Sequence, residues 1–427
     1  MSTPTGSPAT SGRIARGRRH EEAARQSTLR EHNLALVLDR IVGAHAVGSP
    51  APRASIAAEV GLARATVSDL VDRLIGARLV TELAPRAGER AGRPGVPLAP
   101  APRSVVGLGL SVGVDHLAAV VVDLSGITVS ERVVEVDLRG SDPDPTLARL
   151  ADLAADTCRA VTSQGMRVAG ACVSLPGLVS RETATLRYAP NLNWHDLAVD
   201  AALRTHPDLA TLPVTAANDA DLAARTEVGE RTRRFGVPAE EQNFLLLFGA
   251  VGIGASMVLA GRVFQGMHGW GGEIGHVVVD PAGRECPCGA RGCLEPYAGR
   301  DAMVRGAGLP AGSGSAVLDR LAAASTTAGP AAETVAAAGR ALGQAAATVV
   351  NVVDVDEVVL GGVYSALHDT LAPHVLTELE QRAVIARWAR IRVSSSTGAA
   401  GGSARGAALS VLDDVVADPS AWLAPAG

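Results

Sequence analysis

The chain has 427 residues, 47% of them hydrophobic and 3% aromatic, with a formal net charge of −5 and five cysteines. That length exceeds one small domain, and the composition excludes a disordered, collagen-like or disulfide-scaffold protein. All 39 basic residues are arginine, in a sequence so rich in Ala, Gly and Val that a GC-rich genome accounts for it.

The charge is divided along the chain. Residues 1–103 carry 15 Arg and 9 acids, a net of +6, whereas 104–427 carry 24 Arg and 35 acids, a net of −11. A basic head on an acidic body is expected where the head meets a polyanion. The N-terminus has no apolar stretch followed by a small-residue cleavage site, so no secretory signal is expected. A cytoplasmic protein away from membranes, with reduced cysteines, is the corresponding expectation.

Residues 1–25 are Ser, Thr, Pro, Gly and Arg with little apolar content, which predicts a flexible basic arm. A head domain is expected over 26–100. Leu29, Leu34, Leu36, Val37, Leu38, Ile41 and Val42 supply a helical apolar face. Ile56, Ala57 and Val60 form a short helix, Gly61 permits a tight turn, and Leu62, Val67, Leu70, Val71 and Leu74 pack a second helix on the first. This is a helix-turn-helix arrangement. Arg64, Thr66, Ser68, Asp69 and Arg73 lie off the apolar stripe of the second helix, where base edges and phosphates of double-stranded DNA would be met. Leu79–Leu83 and Val96–Leu98 are expected to pair as a wing, with Arg93 at a Gly-Arg-Pro tip narrow enough for a minor groove. The Pro- and Ala-rich stretch 93–103 reads as a linker.

From Ser104 the pattern turns to β. Val105–Leu110, Leu117–Leu124 and Ile127–Val136 are β-branched runs, followed by a helix over Pro145–Gln164 and a strand over Val168–Leu175, which makes an α/β domain. Phe244–Gly261 has no charge over 18 residues, but its glycines favour two buried strands over a membrane span. Cys158 and Cys172 fall in a helix and a strand and read as small core residues. Pro176-Gly177 and Asn218-Asp219 are each explained by a turn or a strand-end cap when taken singly.

The sharpest signal is His276 followed by Cys286-Pro-Cys288-Gly-Ala-Arg-Gly-Cys293. Three thiols and one imidazole are the donor set of a closed, structural tetrahedral zinc site. Glu273 and Glu295 flank it. Held rigidly and arranged around Asp219, these carboxylates would suit the hydroxyls of a polyol or sugar, the alternative being surface acids on a zinc ribbon.

These motifs, above all Gly272-Glu273-Ile274-Gly275-His276 and Cys286-x-Cys288-Gly-x-x-Gly-Cys293-x-Glu295, resemble those of the ROK family (repressors, open reading frames and sugar kinases), and in particular its repressor-type members. The resemblance runs from about Thr28 to near Leu412. It implies an N-terminal winged helix-turn-helix followed by a two-lobed α/β body of the actin-like ATPase, sugar-kinase-like type. The first lobe is expected over 104–220 and the second over 221–427, the C-terminal helix either staying there or returning to the first lobe. Gly177, Asn218, Asp219, Glu273, His276 and Glu295 match the family's sugar contacts, with His276 giving one ring nitrogen to zinc and the other to a hydroxyl. A DNA operator, a sugar or sugar phosphate effector, and a homodimer or homotetramer are the implied partners.

The departures weaken the enzymatic alternative, an ATP-dependent sugar kinase in which Asp219 is the base. Where kinase members carry Asp-x-Gly-Gly-Thr, this chain has Gly109-Leu-Ser-Val-Gly113. Val251 stands where the second phosphate hairpin usually has a hydroxyl, and Val363 where a third glycine is common. Phosphoryl transfer rests on positioning and charge neutralisation, so a regulator without catalysis is the expectation.

Overall fold

The computed structural model describes residues 11–84, 95–312, 314–398 and 401–423. They form two compact units. One comprises residues to Ala101 except 46–48, with residues from Asp413 on; the other comprises 46–48 and Pro102–Leu412.

In the first unit, helix α1 (Ser11–Ala46) is followed by α2 (Arg53–Val60) and α3 (Arg64–Gly76). The helix therefore begins well inside the stretch expected to be a flexible arm. Its Arg, Ala and Glu residues are strong helix formers, a preference that low apolar content conceals. Leu34, Val37, Leu38, Ile41 and Ala44 face the core, whereas Leu29 and Leu36 point outward, since only residues three and four apart share the buried stripe. Gly61 closes α2 in the left-handed region, at φ +70°, and its N–H returns to the Ala57 carbonyl. Val67, Leu70, Val71 and Leu74 bury the inner face of α3. The wing strands are β1 (Val80–Glu82) and β2 (Leu98–Pro100), paired antiparallel with Val80 opposite Pro100. The second wing strand thus lies two residues beyond its expected place, inside the stretch read as linker. Pro97 still accepts from Leu83 N, at 2.8 Å. Arg53 ties the unit together, pairing with Asp72 at 2.6 Å and with Glu82.

The second unit begins with β3 (Val105–Val112), β4 (His116–Asp123) and β5 (Thr128–Glu135), then α4 (Pro143–Thr162) and β6 (Arg167–Leu175). A small antiparallel sheet of β7 (Leu178–Ser180), β8 (Thr185–Ala189) and β9 (Trp194–Ala198) precedes α5 (Val199–Arg204), β10 (Val214–Asn218) and α6 (Asp219–Phe235). The second lobe contains β11 (Phe244–Gly249), β12 (Ile253–Leu259), β13 (Arg262–Phe264), α7 (Glu295–Ala298), α8 (Arg300–Gly306), α9 (Ser315–Ser325), α10 (Pro330–Val353), β14 (Glu357–Gly362), α11 (Val363–Ala366), α12 (His368–Arg382) and β15 (Arg392–Ser395). Helix α13 (Gly402–Ala417) follows.

Both large sheets follow one plan. In the order β10-β6-β3-β4-β5, a three-stranded antiparallel meander is extended by two parallel strands. In the order β13-β12-β11-β14-β15 the same arrangement recurs. Parallel strands need covered faces, which explains why β3 is buried throughout its length. Residues 404–411 of α13 cover β3: a Cβ on Gly109 would lie 1.8 Å from the Ala404 carbonyl oxygen, so only glycine lets helix and strand approach this closely. The C-terminal helix therefore returns to the first lobe's sheet. The uncharged 244–261 stretch is the β11–β12 hairpin, and no helix among the described residues is long and apolar enough to cross a membrane.

Candidate functional site

A cleft of about 650 Å³ opens in the second unit, with Gly177, Asn218 and Asp219 lining it from the first lobe's strand ends and Glu273, His276 and Glu295 from the second lobe. The structure thus brings together residues spread over more than a hundred positions of sequence.

Asn218 ends β10 and opens α6, so it serves as cap and cleft residue at once. Its Oδ1 accepts from the N–H groups of Ala220 at 2.8 Å and Asp221 at 3.3 Å, while its Nδ2 donates to the Gly177 carbonyl at 3.0 Å. Gly177 has φ +93°, and a Cβ there would sit 2.1 Å from the Tyr188 carbonyl oxygen, so the Pro-Gly turn tolerates no side chain.

Asp219, at the helix N-terminus, is pushed up to about 7 by burial, with the charges of Glu273 and Asp221 adding to it against the lowering N–H of Ala220. Buried Asp221 is likewise pushed up to about 7, chiefly by desolvation, although Ser256 Oγ donates to it at 2.7 Å. Burial also raises Glu273 and Glu295 above the usual carboxylate range. Carboxyl groups clustered in this way share protons readily and offer both acceptors and donors to a ligand rich in hydroxyls. Glu295 is steadied by the Ile253 N–H, at 3.2 Å, and by the side chain of Asn191.

Sequence reasoning missed Asn191, which reaches the cleft from the β8–β9 loop, and also Asp115, His116 and Arg300. Pro190-Asn191 after a strand reads as an ordinary turn, and Asp115 and His116 meet Arg300 only where the two lobes come together.

Beside the cleft, one ligand atom from each of His276, Cys286, Cys288 and Cys293 lies within 4.8 Å of all the others. The Cys288 and Cys293 sulfurs are 3.8 Å apart, and Cys286 Sγ is 3.7 Å from His276 Nδ1. Thiolates at about 2.3 Å from a tetrahedral ion are separated by about 3.8 Å, the spacing of Cys288 and Cys293, so the donor set suits such an ion. His276 Nε2 lies on the other side of the ring, 4.0 Å from Glu273 Oε2.

In the first unit, Arg64, Thr66 and Arg73 are exposed on α3 and Ser68 is half-buried, all off the buried stripe. Arg93 lies outside the described residues.

Residues 107–414 match the model of the ROK family. The xylose repressor of Bacillus subtilis (strain 168) is 27% identical over 284 residues, which is 66% of this chain and 70% of that protein. The glucokinase of Streptomyces coelicolor is 29% identical over 202 residues, 46% of this chain and 59% of that protein. Among solved structures, a ROK family transcriptional regulator, described as a homologue of the E. coli MLC protein, superposes with a TM-score of 0.74 at 26% identity, covering 92% of this chain and 99% of that one. A ROK hexokinase from Thermus thermophilus gives 0.56 at 28% identity, covering 73% and 99%. The two-lobed body with a helical head is the fold class read from the sequence, and the chain belongs to the ROK family.

Proposed function

We propose that this protein is a sugar-responsive transcriptional repressor: α3 and the wing read a DNA operator, and a sugar in the cleft modulates that binding. The observation that carries the reading is the pairing, in one chain, of an exposed Arg64–Thr66–Arg73 face on a helix-turn-helix with a cleft lined by Asn218, Asp219, Glu273 and Glu295. The xylose repressor and the regulator structure support it, the second across nearly the whole chain. His276, Cys286, Cys288 and Cys293 would hold a zinc ion, which supplies no chemistry beyond rigidity because all four positions are filled by protein. His276 then orients its Nε2 toward the ligand, and the carboxyl groups grip vicinal hydroxyls.

Closure of two lobes on a ligand gives the body two states, and linkage requires that sugar weaken operator binding by the factor by which operator weakens sugar binding. A homodimer or homotetramer reading an inverted repeat in the cytoplasm completes the proposal.

The glucokinase and hexokinase relatives favour a second reading, in which Asp219 deprotonates a sugar hydroxyl for phosphorylation. Against it stands Gly109, whose Cα is packed on the α13 backbone with no space for the carboxylate of a phosphate loop. The deciding experiment is a thermal-shift screen of hexoses, pentoses and amino sugars, followed by binding of duplexes flanking the protein's own gene with each stabilising sugar. Sequence-preferential binding altered by a sugar is expected. Equal affinity for all duplexes at moderate salt defeats the regulator reading, and Mg-ATP-dependent turnover lost in Asp219→Asn establishes the kinase.

A further inference from the structure

Asp115 lies in the turn between β3 and β4, two residues beyond Gly113, and Arg300 opens α8 in the other lobe. Both line the cleft. Arg300 is only 3% exposed, and its guanidinium is already engaged: Nη1 donates to Asp115 Oδ2 and Nε to Asp301 Oδ1 at 3.1 Å. Its Nη2 is buried and without a partner. The remaining Asp115 oxygen meets His116 Nδ1 at 2.9 Å, and the His116 ring packs on Gly113.

Arg300 is the one arginine on the cleft wall among the described residues, and it faces two carboxylates. Glu131, Glu135 and Asp319 add to the acids that line the same cavity. The His116 and Arg300 contacts hold the Asp115 carboxyl well below the usual carboxylate range, so it carries its charge at any working pH.

We propose that the Asp115–Arg300 pair makes the cleft select uncharged sugars and bar phosphorylated ones, because the Asp115 carboxylate takes, as part of the chain, the guanidinium that a phosphate would need. This rests on the sugar-binding reading above and names the ligand class of that site. A phosphate that takes this guanidinium must draw it away from Asp115, which then keeps only His116 as partner in a site of low dielectric, and it must approach an acidic wall. A hydroxyl asks for much less, since it brings no charge that needs the guanidinium and leaves the pair intact. The same barrier meets a nucleotide phosphate, because Asp115 lies two residues after the run Gly109–Gly113.

The test uses the full-length protein and measures affinities by calorimetry for glucose, xylose and N-acetylglucosamine beside glucose 6-phosphate, xylose 5-phosphate and N-acetylglucosamine 6-phosphate. At least one neutral sugar should bind, with its phosphate weaker by about tenfold or more, the scale expected when a buried charge pair must be broken. Asp115→Asn releases Arg300 and should move the ratio of phosphate to neutral affinity toward the phosphate by about tenfold. Asp115→Ser removes the same carboxylate from the guanidinium, and takes the place of Asp115→Asn if that variant does not fold. A phosphate that binds the native protein more tightly than its parent sugar overturns the proposal, as does an unchanged ratio in the variants. If neither class binds, the sugar-binding reading itself falls.

Discussion

Asn218 donates a 3.0 Å hydrogen bond to the carbonyl of Gly177 while its other amide atom caps α6, so one side chain fixes both a loop of the cleft and the helix that presents Asp219. Asn218→Ala should cost about 1 kcal/mol through the lost cap alone. Asn218→Asp keeps an acceptor for the cap but loses the donor to Gly177. It should therefore retain most of the unfolding free energy in urea while losing the thermal shift induced by sugar. Equal sugar-induced shifts in Asn218→Asp and native protein would show that the Gly177 contact plays no part in ligand binding.

Cys288→Ser should remove the metal. Cys288 is the exposed member of the cluster, so the substitution opens no core cavity, and any effect reports the lost ligand. Elemental analysis should find about one zinc ion per native chain and close to none in the variant. Because His276 lies between the cluster and Glu273, the sugar response should disappear with the metal. A full sugar response in zinc-free protein would separate the two.

Asp221 should make the ligand-free protein less stable as pH rises. Its carboxyl is lifted from the ordinary value to about 7 in the folded state, so between about pH 4 and pH 7 the native state holds a proton that the unfolded chain has lost. Stability falls across that window and levels off above it, by roughly 4 kcal/mol at most. Asp221→Asn should flatten this part of the Tm-against-pH curve measured from pH 5 to 8, and an identical slope in both proteins would contradict the assignment.

Arg73→Ala should weaken binding to operator duplex and reduce the slope of log K against log salt by about 1, as for the loss of one phosphate contact. Thr66→Ala should instead relax discrimination between duplexes with little change in that slope. Fluorescence anisotropy at several salt concentrations distinguishes the two, and if neither variant changes affinity or discrimination, α3 is not the reading helix.

Much of this was legible along the chain. The helix-turn-helix and the β3–β4–β5 meander follow from apolar periodicity and turn glycines, which are local properties. The Cys286–Cys293 cluster is local too: its three thiols lie within eight residues, and a short turn-rich loop brings them to one point. Boundaries fared less well where preferences compete, as in α1, whose Arg and Ala outweigh its lack of apolar residues, and in β2, whose pairing is fixed by its partner strand and not by its own Pro-Leu-Ala-Pro composition.

The sequence by itself determined the head's two short helices, the first strands of the body, the split of charge between head and body, the metal donors and the acids beside them, because each depends on neighbours a few residues away. Only the tertiary structure decided what those groups do together. Two sheets built to one plan bring the ends of β10 and β6 opposite the metal loop, which leaves Asp219 half-buried on the cleft and Asp221 buried behind it, and lifts both far from their ordinary ionisation. The same meeting of lobes places Arg300 on Asp115, 185 residues away. A pairing at that separation leaves no trace in local composition or periodicity, because its energy comes from burial that only the folded chain provides.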